Sequence, residues 1–127
     1  MNTVLIKCKN YGSSLVFSQR YREGWTTEII GIGINAKIKT SDYLGDPCLF
    51  FSDLAVQWRG WDGIKTYKSL EGELTIHARH DKKGEVSLQV ILTPNDRGDD
   101  WQLEHTFGVE PGQLDKINQE VRNFFSK

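Results

Sequence analysis

Read from its amino end, the chain alternates apolar and polar residues with a period of two, the spacing that puts one face of a strand on a core. Val4, Ile6 and Cys8 alternate with Leu5, Lys7 and Lys9, and after Tyr11-Gly12 the run Leu15 to Tyr21 resumes the alternation. Arg22-Glu23-Gly24 then supplies a turn, its glycine free to take positive φ. The next run, Trp25 to Thr40, is rich in β-branched residues, with Ile30, Ile32, Ile34, Ala36 and Ile38 in one register. It predicts one long strand, kinked at Gly31 or Gly33.

At Asp46-Pro47 the period changes. An acid at the N-cap and a proline at the first helical position precede Phe50, Leu54 and Trp58 at intervals of four, which predicts a helix over Pro47 to Arg59 closed by Gly60. Trp61-Asp62-Gly63 continues as a turn and leads through Tyr67 and Leu70 into further strands. Leu74, Ile76 and Ala78 alternate with polar neighbours. Asp81-Lys82-Lys83-Gly84 then makes a tight turn into Val86, Leu88, Val90 and Leu92, the pattern of a hairpin. Pro94 to Asp100 is a polar loop, and Trp101 to Val109 alternates again. Past Pro111, Leu114, Ile117, Val121, Phe124 and Phe125 fall at helical spacing above a wet face of Asp115, Lys116, Gln119, Glu120 and Arg122. The predicted order is βββαβββα, an α+β domain with an antiparallel sheet of about six strands and two helices. A β-sandwich with a C-terminal helix is the alternative.

Composition narrows the class. The 127 residues suit one domain, 1–127, with one core, and the hydrophobic share of 38% beside a charged share of 26% is that of a globular chain. The formal charge is -1, with seven cations against six carboxylates in residues 1–63 and nine against eleven in the rest. No basic face is expected, which argues against nucleic acid as a partner. A lysine interrupts the first apolar run at Lys7, and Ile29 to Ile34 is broken by two glycines, so neither a signal peptide nor a membrane span is expected. The expected compartment is the cytoplasm, with Cys8 and Cys48 as free thiols. The two halves share an order of elements but no sequence repeat.

Candidate chemistry is sparse. Trp58-Arg59-Gly60-Trp61-Asp62-Gly63 is the most distinctive cluster, because two tryptophans three apart at a helix end can share a face and, beside Arg59, anchor a partner protein or hold a flat ligand. The plainer reading packs both indoles between helix and sheet, with Arg59 and Asp62 pairing locally. His77, His80 and His105 carry parities that do not converge on a metal. His80-Asp81 could form a general-base pair but has no spaced nucleophile. Asp96-Arg97-Gly98-Asp99-Asp100 gathers carboxylates without the spacing of a calcium loop, and Gly31-Ile32-Gly33 opens no helix, so the dinucleotide fingerprint fails. Neither catalytic residues, nor a metal, nor a cofactor is expected.

Phe50 to Leu54, Trp58 to Gly63, Ser69 to Leu74 and Ala78 to Asp81, with Val109-Glu110-Pro111-Gly112-Gln113-Leu114 before the last helix, resemble a family of small uncharacterised bacterial proteins, a domain of unknown function. The resemblance covers roughly the last two thirds of the chain. It carries no activity with it. Small, near-neutral domains without catalytic motifs resemble, in kind, immunity proteins that neutralise a toxin by occlusion. The expectation is therefore a non-enzymatic protein-binding module, with Trp58, Arg59, Trp61, Asp62, Asp96, Asp99 and Asp100 as partner contacts and a toxin or a second copy as partner. Two rivals remain: a small-molecule pocket lined by Trp25, Trp58 and Trp101, and a hydrolase-like enzyme using His80, Asp81 and Glu71.

Overall fold

The computed structural model describes residues 3–43, 45–94 and 101–126. Strands β1 (Val4–Lys7), β2 (Ser14–Ser18), β3 (Gly24–Gly31) and β4 (Ile34–Ser41) form an antiparallel meander, followed by helix α1 (Cys48–Val56). Strands β5 (Lys65–Lys68), β6 (Leu74–His80), β7 (Val86–Leu92) and β8 (Leu103–Val109) form a second meander. A single 3₁₀ turn, Pro111–Gln113, then leads into helix α2 (Leu114–Phe125). The α+β class and the antiparallel pairing stand as read from the sequence, with eight strands in two sheets rather than about six in one.

Two strands account for the difference. The long run from Trp25 is a hairpin in which Gly31 pairs with Ile34, and Gly33 takes φ of 77° in the turn between them. A two-residue turn exchanges parity between the strands, so Trp25, Thr27 and Ile29 share a face with Thr40, Ile38 and Ala36. Ile30 and Ile32, assigned from the pattern to the apolar register, stand outside, and Ile32 is 95% exposed. The second unexpected strand is β5, which opens and closes on lysine and half-buries only Lys65 and Tyr67. Helix α1 stops at Val56, short of Arg59, where the Gln57 N–H bonds the Asp53 carbonyl.

The two sheets meet along β8. Trp101 to Leu103 lies beside Gly33 to Lys37 at the start of β4. Further along β8, His105 Nε2 is 2.8 Å from Ser13 Oγ in the β1–β2 connection, and the Lys9 N–H donates to the Gly108 carbonyl at 2.7 Å. Strand β8 therefore lies along the strand ends of the first sheet.

One continuous core fills the interior. Phe17 is its hub, with ring centroids 5.8 Å from Trp25, 6.5 Å from Phe51, 6.4 Å from Phe124 and 6.2 Å from Phe125. One side chain of β2 thereby joins the first sheet to both helices. Helix α2 buries Leu114, Ile117, Val121, Phe124 and Phe125, the face its spacing predicts, and Asn118 with them. At its C-terminus Arg20 Nη1 donates to the Phe124 carbonyl at 2.9 Å, and the guanidinium lies 5.4 Å from the Phe125 ring centroid. A cation there satisfies an orphan carbonyl and meets the negative end of the helix dipole. Arg20→Ala is expected to cost about 1–2 kcal/mol. A fall in urea midpoint at unchanged slope is the readout, and an unchanged midpoint would show the cap to be idle.

Candidate functional site

The Trp58–Asp62 segment lies where α1 hands over to the second sheet, and its two indoles part company. Past Gln57 the chain is no longer helical, and Gly60, at φ of 146°, redirects it. Trp61 turns inward, its Nε1–H donating to the Ala78 carbonyl at 3.3 Å and its ring meeting His80 edge-on at 5.1 Å. Trp58 turns outward, 47% exposed, with the Arg59 guanidinium 5.2 Å from its ring centroid. No shared aromatic platform forms. For Trp61 the core reading is the one the structure shows, whereas Trp58 and Arg59 stay at the surface.

The segment is tied down from β6 and the turn after it. His80 Nε2 is 2.8 Å from the Trp58 carbonyl while its Nδ1 lies 2.7 Å from the Lys82 N–H. An N–H donor on one ring nitrogen requires a lone pair there, so the proton sits on Nε2 and donates to Trp58. Asp62 pairs with Lys82, which holds its carboxyl below the usual range. Asp81 accepts the N–H groups of Lys83 and Glu85 at 2.7 and 3.0 Å, and these bonds lower its carboxyl too. His80 and Asp81 each hydrogen-bond to backbone groups. Gly60 is packed closely enough that an added Cβ would come within 3.0 Å of the Lys82 side chain.

Beside this segment stands a feature carried by composition rather than by any motif. Helix α1 reads Cys-Leu-Phe-Phe-Ser-Asp-Leu-Ala-Val, apolar on nearly every side, and only Phe51 and Leu54 are buried. Leu49 and Val56, seven residues apart and so on one face, are 85% and 78% exposed. Asp53 between them pairs with Lys65 of β5 at 2.8 Å. Trp58 and Ile64 lie exposed just beyond the helix. A helix apolar all round is ordinarily enclosed, and this one is enclosed on one side only.

The other candidates scatter. His77 Nδ1 meets Thr66 Oγ1 at 2.9 Å, and His105 meets Ser13, so the three histidines have three separate settings. Among the described residues no group of three or more His, Cys, Asp or Glu side chains converges as a metal would need. Trp25 is fully buried against Phe17 and Phe125, so it lines no pocket with Trp58 and Trp101. Trp101 instead borders a crevice of about 500 Å³ beside the start of β4. A groove of about 420 Å³ runs between β1 and α2. Glu71 is exposed in the β5–β6 turn, apart from His80 at the far end of β6. Asp96, Asp99 and Asp100 lie outside the described residues. Among those described, no helix is long and apolar enough to cross a membrane.

The sequence model of the family of unknown function DUF6228 matches residues 7–127. The chain belongs to that family. The match takes in nearly the whole domain, well beyond the last two thirds where the resemblance was legible. No curated protein and no solved structure matches the chain.

Both cysteines are free thiols, in contrasting settings. Burial pushes the Cys48 thiol up to about 12, and the neighbouring Asp46 carboxylate adds to the rise. Around Cys8, burial also raises the thiol, but the backbone N–H groups of Gly108, Asn10 and Tyr11 and the Ser13 side chain outweigh it and the thiol ends below its ordinary value. Burial likewise raises Tyr67, whose hydroxyl donates to the Gly45 carbonyl at 2.9 Å. Cys48 and Tyr67 thus hold their protons more tightly folded than unfolded. Stability from these two groups is present at neutral pH and is lost as pH climbs from the ordinary thiol value of 9.0 toward about 12. Denaturation midpoints across that range are expected to fall, and Cys48→Ala should make the fall shallower; a flat profile in the wild-type protein would contradict this.

Proposed function

We propose that this protein is a non-enzymatic protein-binding domain whose contact surface is the outward face of α1 continued by Trp58, Arg59 and Ile64. The observation that supports the reading is the exposure of Leu49 and Val56 on a helix whose sequence is that of an enclosed element. Exposed apolar side chains beside an aromatic and an arginine are the composition of an interface centre, and the Asp53–Lys65 pair, on the same face, is a charged group that a partner would have to meet. Fixed by His80 and by the buried Trp61, the surface is presented without a large ordering cost.

In its narrower form the reading makes the partner a toxin that the domain neutralises by covering its active site. Asp96, Asp99 and Asp100 would then meet basic toxin residues. Coexpression with a toxin encoded beside this gene tests the narrow form by cell survival.

The broader reading is tested by affinity capture from the native cell with the wild-type protein, the Leu49→Glu/Val56→Glu double variant and Ile32→Glu. All three changes fall on exposed positions and are expected to shift stability by only about 0.5 kcal/mol each. A partner held by the wild type and by Ile32→Glu but lost from the double variant is the expected outcome. Equal capture by the double variant would remove α1 from the interface, and the absence of any stoichiometric partner would count against binding as the function.

A further inference from the structure

The first sheet ends at β1, and the pairing of that strand fixes which of its backbone groups face outward. The Cys8 N–H donates to the Ser13 carbonyl at 2.9 Å, and the register continues with Ile6 opposite Leu15 and Val4 opposite Phe17. In an antiparallel ladder alternate residues bond inward, so Cys8, Ile6 and Val4 face β2 and the N–H and C=O groups of Leu5, Lys7 and Lys9 point away from it. Lys9 has found a partner, its N–H donating to the Gly108 carbonyl at 2.7 Å. Leu5 and Lys7 are the next two rungs, and among the described residues no strand lies beside them.

What lies beside them is the groove of about 420 Å³. Leu5, Ile6 and Lys7 of β1 and the following Cys8 and Lys9 all border it, consecutive residues as expected of a strand met along its edge rather than on one face. The opposite wall is Gln113 of the 3₁₀ turn and one side of α2, with Lys116, Ile117 and Glu120. We infer that this edge accepts an extended peptide segment as an added strand, continuing the ladder that Lys9 and Gly108 begin. Leu5 to Lys7 of β1, continued in register by Cys8, span about 10 Å at ~3.3 Å per residue, room for about three to four residues of added strand.

The lining also states the chemistry of the occupant. Ile6, Cys8, Val109 and Ile117 supply an apolar floor, so every second side chain of the added segment is apolar. Lys7 and Lys116 on the rim are matched by Glu110 and Glu120, while Lys9 is already paired with Glu85 at 3.1 Å. A rim balanced in sign suits a segment with little net charge, and affinity then comes from backbone bonds with weak salt dependence. This surface is separate from the face of α1 and stands or falls without it.

The test uses a capped heptapeptide of alternating threonine and valine, and the same peptide with alternate amides N-methylated. Amide hydrogen exchange followed by NMR on the full chain is expected to show Leu5 and Lys7 slowed at least about tenfold by about 1 mM of the first peptide and unchanged by the second. Lys7→Pro removes an outward N–H at an edge position where proline is tolerated, and should abolish the protection at Leu5. Should that variant fail to fold, Lys116→Trp, which fills the groove from α2, should do the same. Unchanged exchange at Leu5 and Lys7 would overturn the inference, as would equal effects of both peptides. Slow exchange at these amides without peptide, rising with protein concentration, would also overturn it and assign the edge to a second copy of the chain.

Discussion

Replacing Phe17 with alanine is expected to lower the unfolding free energy by about 3–5 kcal/mol, a large part of the ~5–15 kcal/mol that holds a domain folded. The ring is fully buried and meets Trp25, Phe51, Phe124 and Phe125, so its loss opens a cavity bordered by both helices and the first sheet. No single neighbour can move in without leaving its own contacts. Phe50→Ala supplies the comparison, since Phe50 is only half-buried and, among the described residues, its ring contacts are with Phe51 and Tyr67. Urea unfolding should place Phe17→Ala several-fold further from wild type than Phe50→Ala. Equal losses would mean that Phe17 is not where the two helices are joined to the sheet.

Gly24→Ala is expected to be nearly as damaging, through the backbone rather than the core. A Cβ at Gly24 would sit 1.8 Å from the Thr40 carbonyl oxygen and 2.9 Å from its carbon, both in the facing strand. Neither atom belongs to a flexible side chain, so β3 and β4 must separate where Gly24 pairs with Ser41. Nearby, Thr27 Oγ1 and Thr40 Oγ1 share a buried hydrogen bond of 2.8 Å that the same separation strains. Together these predict a loss of about 2–4 kcal/mol. Gly12→Ala, where an added Cβ meets nothing within 4 Å, is expected to be close to neutral. A tolerated Gly24→Ala would show that the β3–β4 hairpin accommodates the methyl by moving freely.

How far the sequence disclosed this architecture depended on whether a residue's environment is set by its near neighbours. The β6–β7 hairpin was readable because both strands alternate cleanly and the Asp81–Gly84 turn carries its own chemistry, with Asp81 bonding the N–H groups of Lys83 and Glu85. Helix α2 was readable because Pro111 marks its approach and a single buried face sets the spacing. The β3–β4 hairpin was not, because isoleucines at 30, 32 and 34 maintain an alternation that the turn at Gly33 reverses in space, while Thr27 takes a core position. Strand β5 was hidden because it is an edge, with lysines at both ends in place of an apolar run.

The same distinction runs through the candidate site. Trp58 and Trp61 suggest a shared face only if the helix continues past Trp58, and it ends at Val56. Which indole enters the core is then decided by Gly60 and by the Ala78 carbonyl of a strand seventeen residues away. The apolar character of α1, by contrast, was present in the residues 48–56 themselves, and its meaning emerged only once the core was seen to take Phe51 and Leu54 and leave Leu49 and Val56 outside. The open edge of β1 depends on strand order, which no local pattern records.

The central claim is that the outward face of α1 and Trp58 is covered by a protein partner. Oxidative footprinting of the complex recovered by affinity capture, read residue by residue against the free protein, tests it most directly. The account predicts that Leu49, Val56 and Trp58 are protected in the complex while Ile32, in the distant β3–β4 turn, is oxidised as before. Full reactivity of Leu49, Val56 and Trp58 in a stoichiometric complex would contradict it.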